Sequence, residues 1–227
     1  MNVLITGCSR GIGFGLLEHY LQDSKVTRVW AVTTSADRLK ALGAQYDGKL
    51  KVVSAQVSEE SSKKTLAAAL GTEPLDLLIN CAGTYPEEPG YFEQIGWNFF
   101  TEGFQVNVGT AVFTTQACLP SLLRAKSAKV ISITSLMGSI ADTTSGGSYA
   151  YRMSKAALNM FNKTFSNDYP ALTAVVLHPG WVKTDMGGSS APTEVAESVA
   201  GMTRVIAALK LDQTGRFYDF EGDEIPW

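Results

Sequence analysis

Short, continuous apolar runs mark the strands predicted for this chain. The segments NVLIT, DLLIN, KVISIT and TAVVL contain few polar positions and do not alternate. Because a strand covered by helices on both faces is apolar at successive positions, these runs predict a buried parallel sheet. The predicted strands are residues 2–6, 28–33, 50–55, 75–80, 129–134, 171–177 and 215–220.

Segments with helical character separate these strands. The predicted helices are residues 11–23, 37–42, 59–70, 101–125, 149–169 and 193–209. This alternation predicts an α/β fold, a doubly wound sheet of about seven parallel strands with helices on both faces. No linker, repeat or low-complexity tract interrupts it, so residues 1–227 are predicted to form one domain.

Two long irregular segments follow predicted strand ends. Residues 83–100 (GTYPEEPGYFEQIGWNFF) are rich in aromatics, and residues 138–148 (GSIADTTSGGS) are rich in Gly, Ser and Thr. Open α/β sheets place their ligand crevice outside the carboxyl ends of the strands. The aromatic side chains therefore either line the rim of a pocket or simply pack together, and the sequence leaves both interpretations open.

Composition narrows the class of protein. Hydrophobic residues make up 45%, the net charge is −3, and no run of Lys or Arg suggests a nucleic acid or an anionic membrane as partner. The three cysteines, Cys8, Cys81 and Cys118, are few and scattered, which favours a reduced compartment. His19 and His178 have no zinc-site spacing, so no metal is predicted. No transmembrane-length run or signal peptide is evident, and we expect a soluble cytoplasmic protein.

A glycine-rich turn follows the first predicted strand. NVLITGCSRGIGFG contains Gly7, Gly11 and Gly13 between that strand and the first helix. Glycines allow a tight turn and a close approach to a ligand, and free N–H groups at a helix start attract phosphate. The loop therefore predicts dinucleotide binding, with a purely structural turn as the alternative. Its spacing departs from G-x-G-x-x-G and points to a particular family.

The segment YAYRMSKAALN, residues 149–159, holds two tyrosines and a lysine. On a helix, residues four apart lie about 40° apart around the axis and about 6 Å apart along it. Tyr151 and Lys155 have this spacing, whereas Tyr149 lies on another side. An ordinary pair on a solvated face is the simplest interpretation of the spacing alone, so the other motifs decide.

Six segments, in order, resemble motifs of the short-chain dehydrogenase/reductases. TGCSRGIG resembles T-G-x-x-x-G-I-G, NCAG resembles N-N-A-G with Cys81 in the second place, and HPGWVKTDM resembles P-G-x-x-x-T. VNV, ISITSLMGSI and YAYRMSK supply the remaining family positions at Asn107, Ser135, Tyr151 and Lys155. The motifs cover nearly the whole chain and imply a Rossmann-type, NAD(P)-dependent oxidoreductase. YAYRMSKAALNMF, the insertion before it and GRFYDFEGDEIPW most resemble C-factor and sniffer-like carbonyl reductases.

The resemblance implies carbonyl reduction by hydride transfer. A carbonyl oxygen that gains negative charge needs a proton donor and a second hydrogen bond. Tyr151 is predicted as the general acid/base, with Lys155 lowering its pKa and Ser135 donating to the substrate oxygen. Ser132 and Thr134 are the rivals of Ser135, but Ser132 lies deeper in the strand and Thr134 on the opposite face.

Asn107 is the fourth predicted catalytic residue. It interrupts a helix that is otherwise apolar in this region. The resemblance implies a kink that holds a water linked to Lys155, and a buried helix-breaking polar group is the alternative. The family's lysine also binds the nicotinamide ribose, which the resemblance implies for Lys155.

The predicted cofactor is NADP(H), with NAD(H) as the other possibility. NAD sites place an acid about 20 residues past the glycines, where this chain has Thr33 and Thr34. Arg10 is predicted to bind a 2′-phosphate, and Arg38 is the weaker candidate. Gln56 replaces the aspartate that the family often uses near adenine. The predicted cofactor-binding residues are Gly7, Ser9, Arg10, Gly11, Ile12, Gly13, Thr33, Gln56, Val57, Asn80, Ala82, Gly83, Tyr151, Lys155, Pro179, Gly180, Val182 and Thr184.

Other functions remain open at the level of sequence. A C-factor-like signalling protein that binds NAD(P) with little turnover is the main alternative, and an epimerase or dehydratase ranks below it. The predicted partner is a small carbonyl or alcohol substrate, and the family resemblance implies a possible homodimer that pairs through the two long helices after the fourth and fifth strands. Trp181, Met186 and the following GGSSA are predicted to form a mobile flap. His178 is predicted to be structural, and Cys8 a small tolerated side chain.

Overall fold

A seven-stranded sheet forms the centre of the structure, a computed structural model that describes residues 1–227. Its spatial order is β3-β2-β1-β4-β5-β6-β7, and every pairing is parallel. The predicted doubly wound α/β sheet is confirmed. The strands are β1 Asn2–Thr6, β2 Arg28–Thr33, β3 Leu50–Ser54, β4 Leu77–Asn80, β5 Lys129–Ile133, β6 Thr173–His178 and β7 Phe217–Asp219.

Seven α-helices connect and cover the strands. None of them combines the length and the apolar character needed to cross a membrane. A 3₁₀ turn, Ala36–Leu39, precedes the second helix, and a π-helical turn, Phe104–Gly109, separates the fourth from the fifth. The helices are α1 Gly11–Gln22, α2 Lys40–Gln45, α3 Ser62–Leu70, α4 Trp97–Gly103, α5 Thr110–Arg124, α6 Tyr149–Asp168 and α7 Val195–Ala208.

The apolar runs of the strands are explained by two separate cores. Alternate residues of a strand point to opposite faces of the sheet. Val3 and Ile5 of β1 pack on the side of α1 and α7, whereas Leu4 packs on the side of α3, α5 and α6. Phe165 of α6 and Trp30 of β2 belong to the second core. A strand buried on both faces has no position for a solvated side chain, which is why the runs do not alternate.

Several element boundaries differ from the predictions by a few residues, as three examples illustrate. β4 begins at Leu77 because the N–H of Leu75 donates to the carbonyl of Ser121 in α5 instead of joining the sheet. α3 begins at Ser62 because residues 56–61 form successive turns. The predicted helix 101–125 begins earlier, at Trp97, and contains the π-helical turn.

The order of the strands creates a crevice between β1 and β4. The chain leaves β1 toward β2, yet β4 lies on the other side of β1, so connections diverge at this edge. The oxygen of the Thr6 hydroxyl accepts the N–H groups of Cys81 and Ala82, at 3.1 and 3.2 Å. The turn after β1 and the turn after β4 are thereby held side by side.

Candidate functional site

One cleft of about 640 Å³ lies at the carboxyl ends of the central strands. The structure brings most of the predicted cofactor residues to its wall, including residues far apart in the chain. Those that line it are Gly7, Ser9, Arg10, Gly11, Ile12, Gly13, Thr33, Gln56, Val57, Ala82, Gly83, Tyr151, Lys155, Pro179 and Thr184. Sequence analysis did not assign Ser58, Cys81, Val106, Thr110, Lys183 or Asp185, which also line it.

Three predicted cofactor residues do not line this cleft. Asn80 is buried and its amide donates to the Thr115 hydroxyl at 3.1 Å, between β4 and α5. Gly180 lies close to the ring of Phe220, and Val182 is buried. These residues support the neighbouring segments of the cleft, and their predicted role in cofactor binding stays a prediction.

The glycine loop has no room for side chains at two positions. A Cβ on Gly7, which has φ +69°, would lie 2.7 Å from the Cα of Ala82. A Cβ on Gly13 would lie 2.3 Å from the carbonyl oxygen of Gly7. The loop can therefore turn tightly beside the start of α1 at Gly11 and leave the helix N–H groups accessible. This arrangement fits the pyrophosphate of a dinucleotide.

Tyr151 and Lys155 lie on one side of α6 and line the same cleft. The Lys155 ammonium donates to the carbonyl of Ile133 at 3.0 Å and lies 5.6 Å from the centre of the Tyr151 ring. Tyr149 instead packs against Phe92 with their ring centres 5.0 Å apart. Burial lowers the pKa of Lys155 from 10.5 to about 8, because a charged amine loses hydration there.

The pKa of Tyr151 differs from the sequence-based expectation. Burial raises it from 10.0 to about 12, and the nearby Ser135 hydroxyl opposes that rise. Lys155 was expected to lower this pKa, but its ammonium donates to Ile133 and does not contribute to the shift. Burial therefore affects the pKa of the phenol more than the Ser135 hydroxyl does, and the phenol is protonated at neutral pH.

Ser135 is the hydroxyl that neighbours Tyr151. It follows β5 and begins a short 3₁₀ turn, Leu136–Gly138, in which its oxygen accepts the N–H of Met137 at 3.1 Å. The two rivals are hydrogen-bonded to other side chains, although Thr134 also lines the cleft. Thr134 donates to Asn159 at 2.6 Å, and Ser132 is fully buried beside Asn80. Because β5 ends at Ile133, Thr134 and Ser135 both lie beyond the strand and both contact α6, so their hydrogen bonds distinguish them and strand alternation does not.

Asn107 lies in the π-helical turn, where the sequence predicted a kink. Its amide oxygen accepts the N–H of Thr84 at 2.8 Å, and its amide nitrogen donates to the Thr84 carbonyl and the Ser154 hydroxyl. Both polar atoms are therefore satisfied by protein groups beside Gly83. The predicted water link to Lys155 stays a prediction.

The aromatic segment 83–100 forms part of the wall next to Tyr151. The rings of Tyr85 and Tyr151 lie 4.6 Å apart, centre to centre. The carboxylate of Glu88 accepts the N–H groups of Tyr149 and Ala150, the latter at 2.8 Å, and so caps the start of α6. Sequence analysis left the role of this segment open and named neither residue, although its aromatic content was the available signal.

The ribose end of the cleft carries no acid at the close of β2. Thr33 and Thr34 line it, whereas Asp37 lies in the following 3₁₀ turn and Arg38 is exposed outside it. Arg10 lines the cleft and pairs with Asp185 at 2.9 Å across it, with both side chains largely exposed. An exposed pair of this kind contributes little stability, so Arg10 is available to an anionic ligand.

The free energy of unfolding should depend on pH because the ammonium of Lys155 is buried. Its pKa is about 8 in the folded chain and 10.5 ordinarily, so the folded chain binds fewer protons than the unfolded chain between these values. The buried charge lowers the free energy of unfolding by its full amount below pH 8, and this loss disappears as the pH rises toward 10.5. We expect Lys155→Met to raise the free energy of unfolding at pH 7 by up to about 3 kcal/mol, with this advantage shrinking at pH 10.

Urea titrations of the wild type and Lys155→Met at both pH values measure this. The other titrating groups are common to the two proteins, so the difference between them isolates Lys155. A difference that is equal at pH 7 and pH 10 would contradict the expectation.

Comparisons with known proteins agree with this geometry. The chain matches the family described as short chain dehydrogenase over residues 1–195. It is 42% identical over 169 residues to C-signal of Myxococcus xanthus, covering 72% of this chain and 99% of that protein. It is similar to the NADPH-bound carbonyl reductase from chicken fatty liver (TM-score 0.90, 34% identity, 100% and 98% coverage). It is also similar to the carbonyl reductase Sniffer of D. melanogaster (TM-score 0.91, 31% identity, 100% and 99% coverage).

The chain belongs to the short chain dehydrogenase family and is an NAD(P)-dependent oxidoreductase. The family resemblance drawn from the six motifs is confirmed, as is the narrower resemblance to C-factor and sniffer-like carbonyl reductases.

Proposed function

We propose that this protein uses NADP(H) to reduce an aldehyde, ketone or quinone to the alcohol. The observation that carries the proposal is that Tyr151 and Lys155 line the glycine-loop cleft, with the Ser135 hydroxyl next to the Tyr151 phenol. The Tyr151 phenol and the Ser135 hydroxyl lie close enough for one carbonyl oxygen to accept a hydrogen bond from each. The similarity to carbonyl reductases, one of them NADPH-bound, supports the same substrate class and cofactor.

The residues of the cleft would hold the dinucleotide along its length. The glycine loop suits the pyrophosphate, Thr33 and Gln56 suit the ribose and adenine, and the family resemblance implies that Pro179 and Thr184 contact the nicotinamide. When bound, the cofactor supplies the hydride. Asp185 also lines the cleft and pairs with Arg10, and a bound phosphate would have to compete with this exposed ion pair.

The site has a proton to donate to the substrate. The pKa of Tyr151 lies far above 7, so the phenol is protonated at neutral pH, although the rise to about 12 that burial causes makes it a weaker acid. Ser135 can donate a second hydrogen bond to the substrate oxygen as charge develops there. Lys155 adds positive charge to the site most fully below pH 8, given its lowered pKa. Asn107 holds the Thr84 backbone next to Gly83 and so shapes the site floor.

A substrate panel tests the proposed reaction. Purified protein is mixed with NADPH and with aldehydes, ketones and quinones, and oxidation is followed by nicotinamide absorbance. We expect turnover that depends on both protein and carbonyl compound. The competing function is suggested by the similarity to C-signal: a signalling protein would bind NADPH yet show no oxidation above background with any member of the panel.

Arg10 should set the preference between the two nicotinamide cofactors. We expect Arg10→Ala to weaken NADPH binding about tenfold and to leave NADH binding within about twofold, because the guanidinium would contact the 2′-phosphate alone. Affinities from fluorescence titration check this, with Arg38→Ala as the exposed control. Wild-type affinity for NADH equal to or above that for NADPH would contradict the NADP(H) assignment.

Three further predictions depend on solution measurements. We propose that residues 1–227 act as one domain, that the protein works in the cytoplasm, and that α5 and α6 pair with those of a second copy. Fractionation of cells tests the cytoplasmic location, and light scattering tests the pairing with a second copy.

A further inference from the structure

We propose that Asn159 is a positioning residue that fixes Ser135 against Tyr151. The role rests on the proposed carbonyl reduction, because Ser135 must reach the same oxygen as the acid. It goes beyond the residues that the family motifs assign. The argument depends on the two hydrogen bonds of one buried amide and on where they fall along the chain.

The Asn159 amide contacts the chain on both sides of Ser135. Its oxygen accepts the Thr134 hydroxyl at 2.6 Å, and its nitrogen donates to the Gly138 carbonyl at 3.1 Å. Thr134 immediately precedes Ser135, and Gly138 ends the 3₁₀ turn that Ser135 begins. The side chain is 3% exposed, so water does not compete with these hydrogen bonds.

The same helix carries the acid, the amine and this amide. Tyr151, Lys155 and Asn159 follow one another at intervals of four along α6, so they share one face. A Cβ added to Gly138 would lie 2.9 Å from the Cβ of Lys155. The serine turn, by which we mean residues 135–138, therefore lies against the helix. With the turn in contact, the two hydrogen bonds determine its position along the helix and hence the placement of Ser135 relative to Tyr151.

Another asparagine in α6 provides a matched control. Asn162 is fully buried, but neither polar atom of its side chain has a hydrogen-bond partner. Asn159→Ala and Asn162→Ala therefore remove the same buried group from the same helix, and only the first removes contacts to the serine turn. A role in folding alone predicts no difference between them in the rate of reduction.

The first experiment compares steady-state reduction by these variants. We expect Asn159→Ala to lower kcat about tenfold or more, with the KM for NADPH changed less than about twofold, and Asn162→Ala to keep kcat within about twofold. In a Ser135→Ala background, Asn159→Ala should lower kcat by less than about twofold further, because the residue that it positions is gone. A full further loss in that background, or a rate for Asn159→Ala equal to that of Asn162→Ala, would overturn the proposal.

Thr134 variants address the same contact without altering α6. Thr134→Ser keeps the hydroxyl and should retain kcat, whereas Thr134→Val removes it and should lower kcat as Asn159→Ala does. Equal rates for the two variants would count against the proposal, and both remain informative if Asn159→Ala fails to fold.

A crystal structure of Thr134→Val or Asn159→Ala gives a readout that needs no turnover. We expect the Ser135 hydroxyl to be displaced from the Tyr151 hydroxyl, and an unchanged placement would overturn the inference. Absence of carbonyl reduction in the wild type would instead contradict the proposed function, so the two failures are distinguishable.

Discussion

Tyr151→Phe is expected to slow carbonyl reduction by about 10²-fold or more while leaving NADPH affinity nearly unchanged. The substitution removes the one proton that the phenol donates and keeps the buried ring in place. Since the ring of Tyr85 packs against that of Tyr151, the wall of the site should also persist. Single-turnover rates with a substrate from the panel, together with NADPH titration, measure the two quantities separately.

Tyr149→Phe is the control for this substitution. Tyr149 is 37% exposed and packs against Phe92, so its hydroxyl is expected to be dispensable. Reduction by Tyr149→Phe should remain within about twofold of the wild type. If Tyr151→Phe reduced the substrate as fast as Tyr149→Phe, the assignment of the acid would be wrong.

Gly13→Ala should strongly weaken cofactor binding. The new methyl group, in the first turn of α1, would lie 2.3 Å from the carbonyl oxygen of Gly7, so the glycine loop would have to move away from the helix. We expect NADPH affinity to fall at least about tenfold and the free energy of unfolding to fall by about 1–3 kcal/mol or more, as in other overpacked sites. NADPH fluorescence titration and urea unfolding test both effects.

Gly43→Ala is the control, at a position that has room for a methyl group. Gly43 lies within α2, and a Cβ there would meet no atom within 4 Å. Because alanine favours the helix, the free energy of unfolding should rise by about 0.4–1 kcal/mol, and the affinity for NADPH should stay the same. A Gly13→Ala protein with wild-type affinity would mean that the loop does not hold the cofactor in the inferred way.

The fold was predictable because its physical signals are local. Each buried strand is a continuous apolar run, and the turn after β1 needs glycines that the sequence displays. The boundaries that shifted depend on contacts between distant segments. Leu75 leaves the sheet because of Ser121, about forty-five residues later in the chain, and no local pattern announces such a bond.

The site was predictable only where a motif fixes the residue. The spacing of Tyr151 and Lys155 placed them on one helical face, and the family motifs added Ser135. Spacing could not predict that burial has the larger effect on the phenol, since burial depends on the whole fold. Tyr85 and Asn159 were missed for a related reason, because their partners come from other parts of the chain.

The cap on α6 connects the aromatic segment 83–100 to the proposed acid. Glu88 belongs to this segment, and its carboxylate accepts N–H groups at the start of the helix that carries Tyr151. If Tyr151 is the proton donor, remodelling the segment to admit a different compound should also move that donor. Selectivity and turnover would then be coupled traits, and directed evolution toward bulkier substrates would need compensating changes at the first turn of α6.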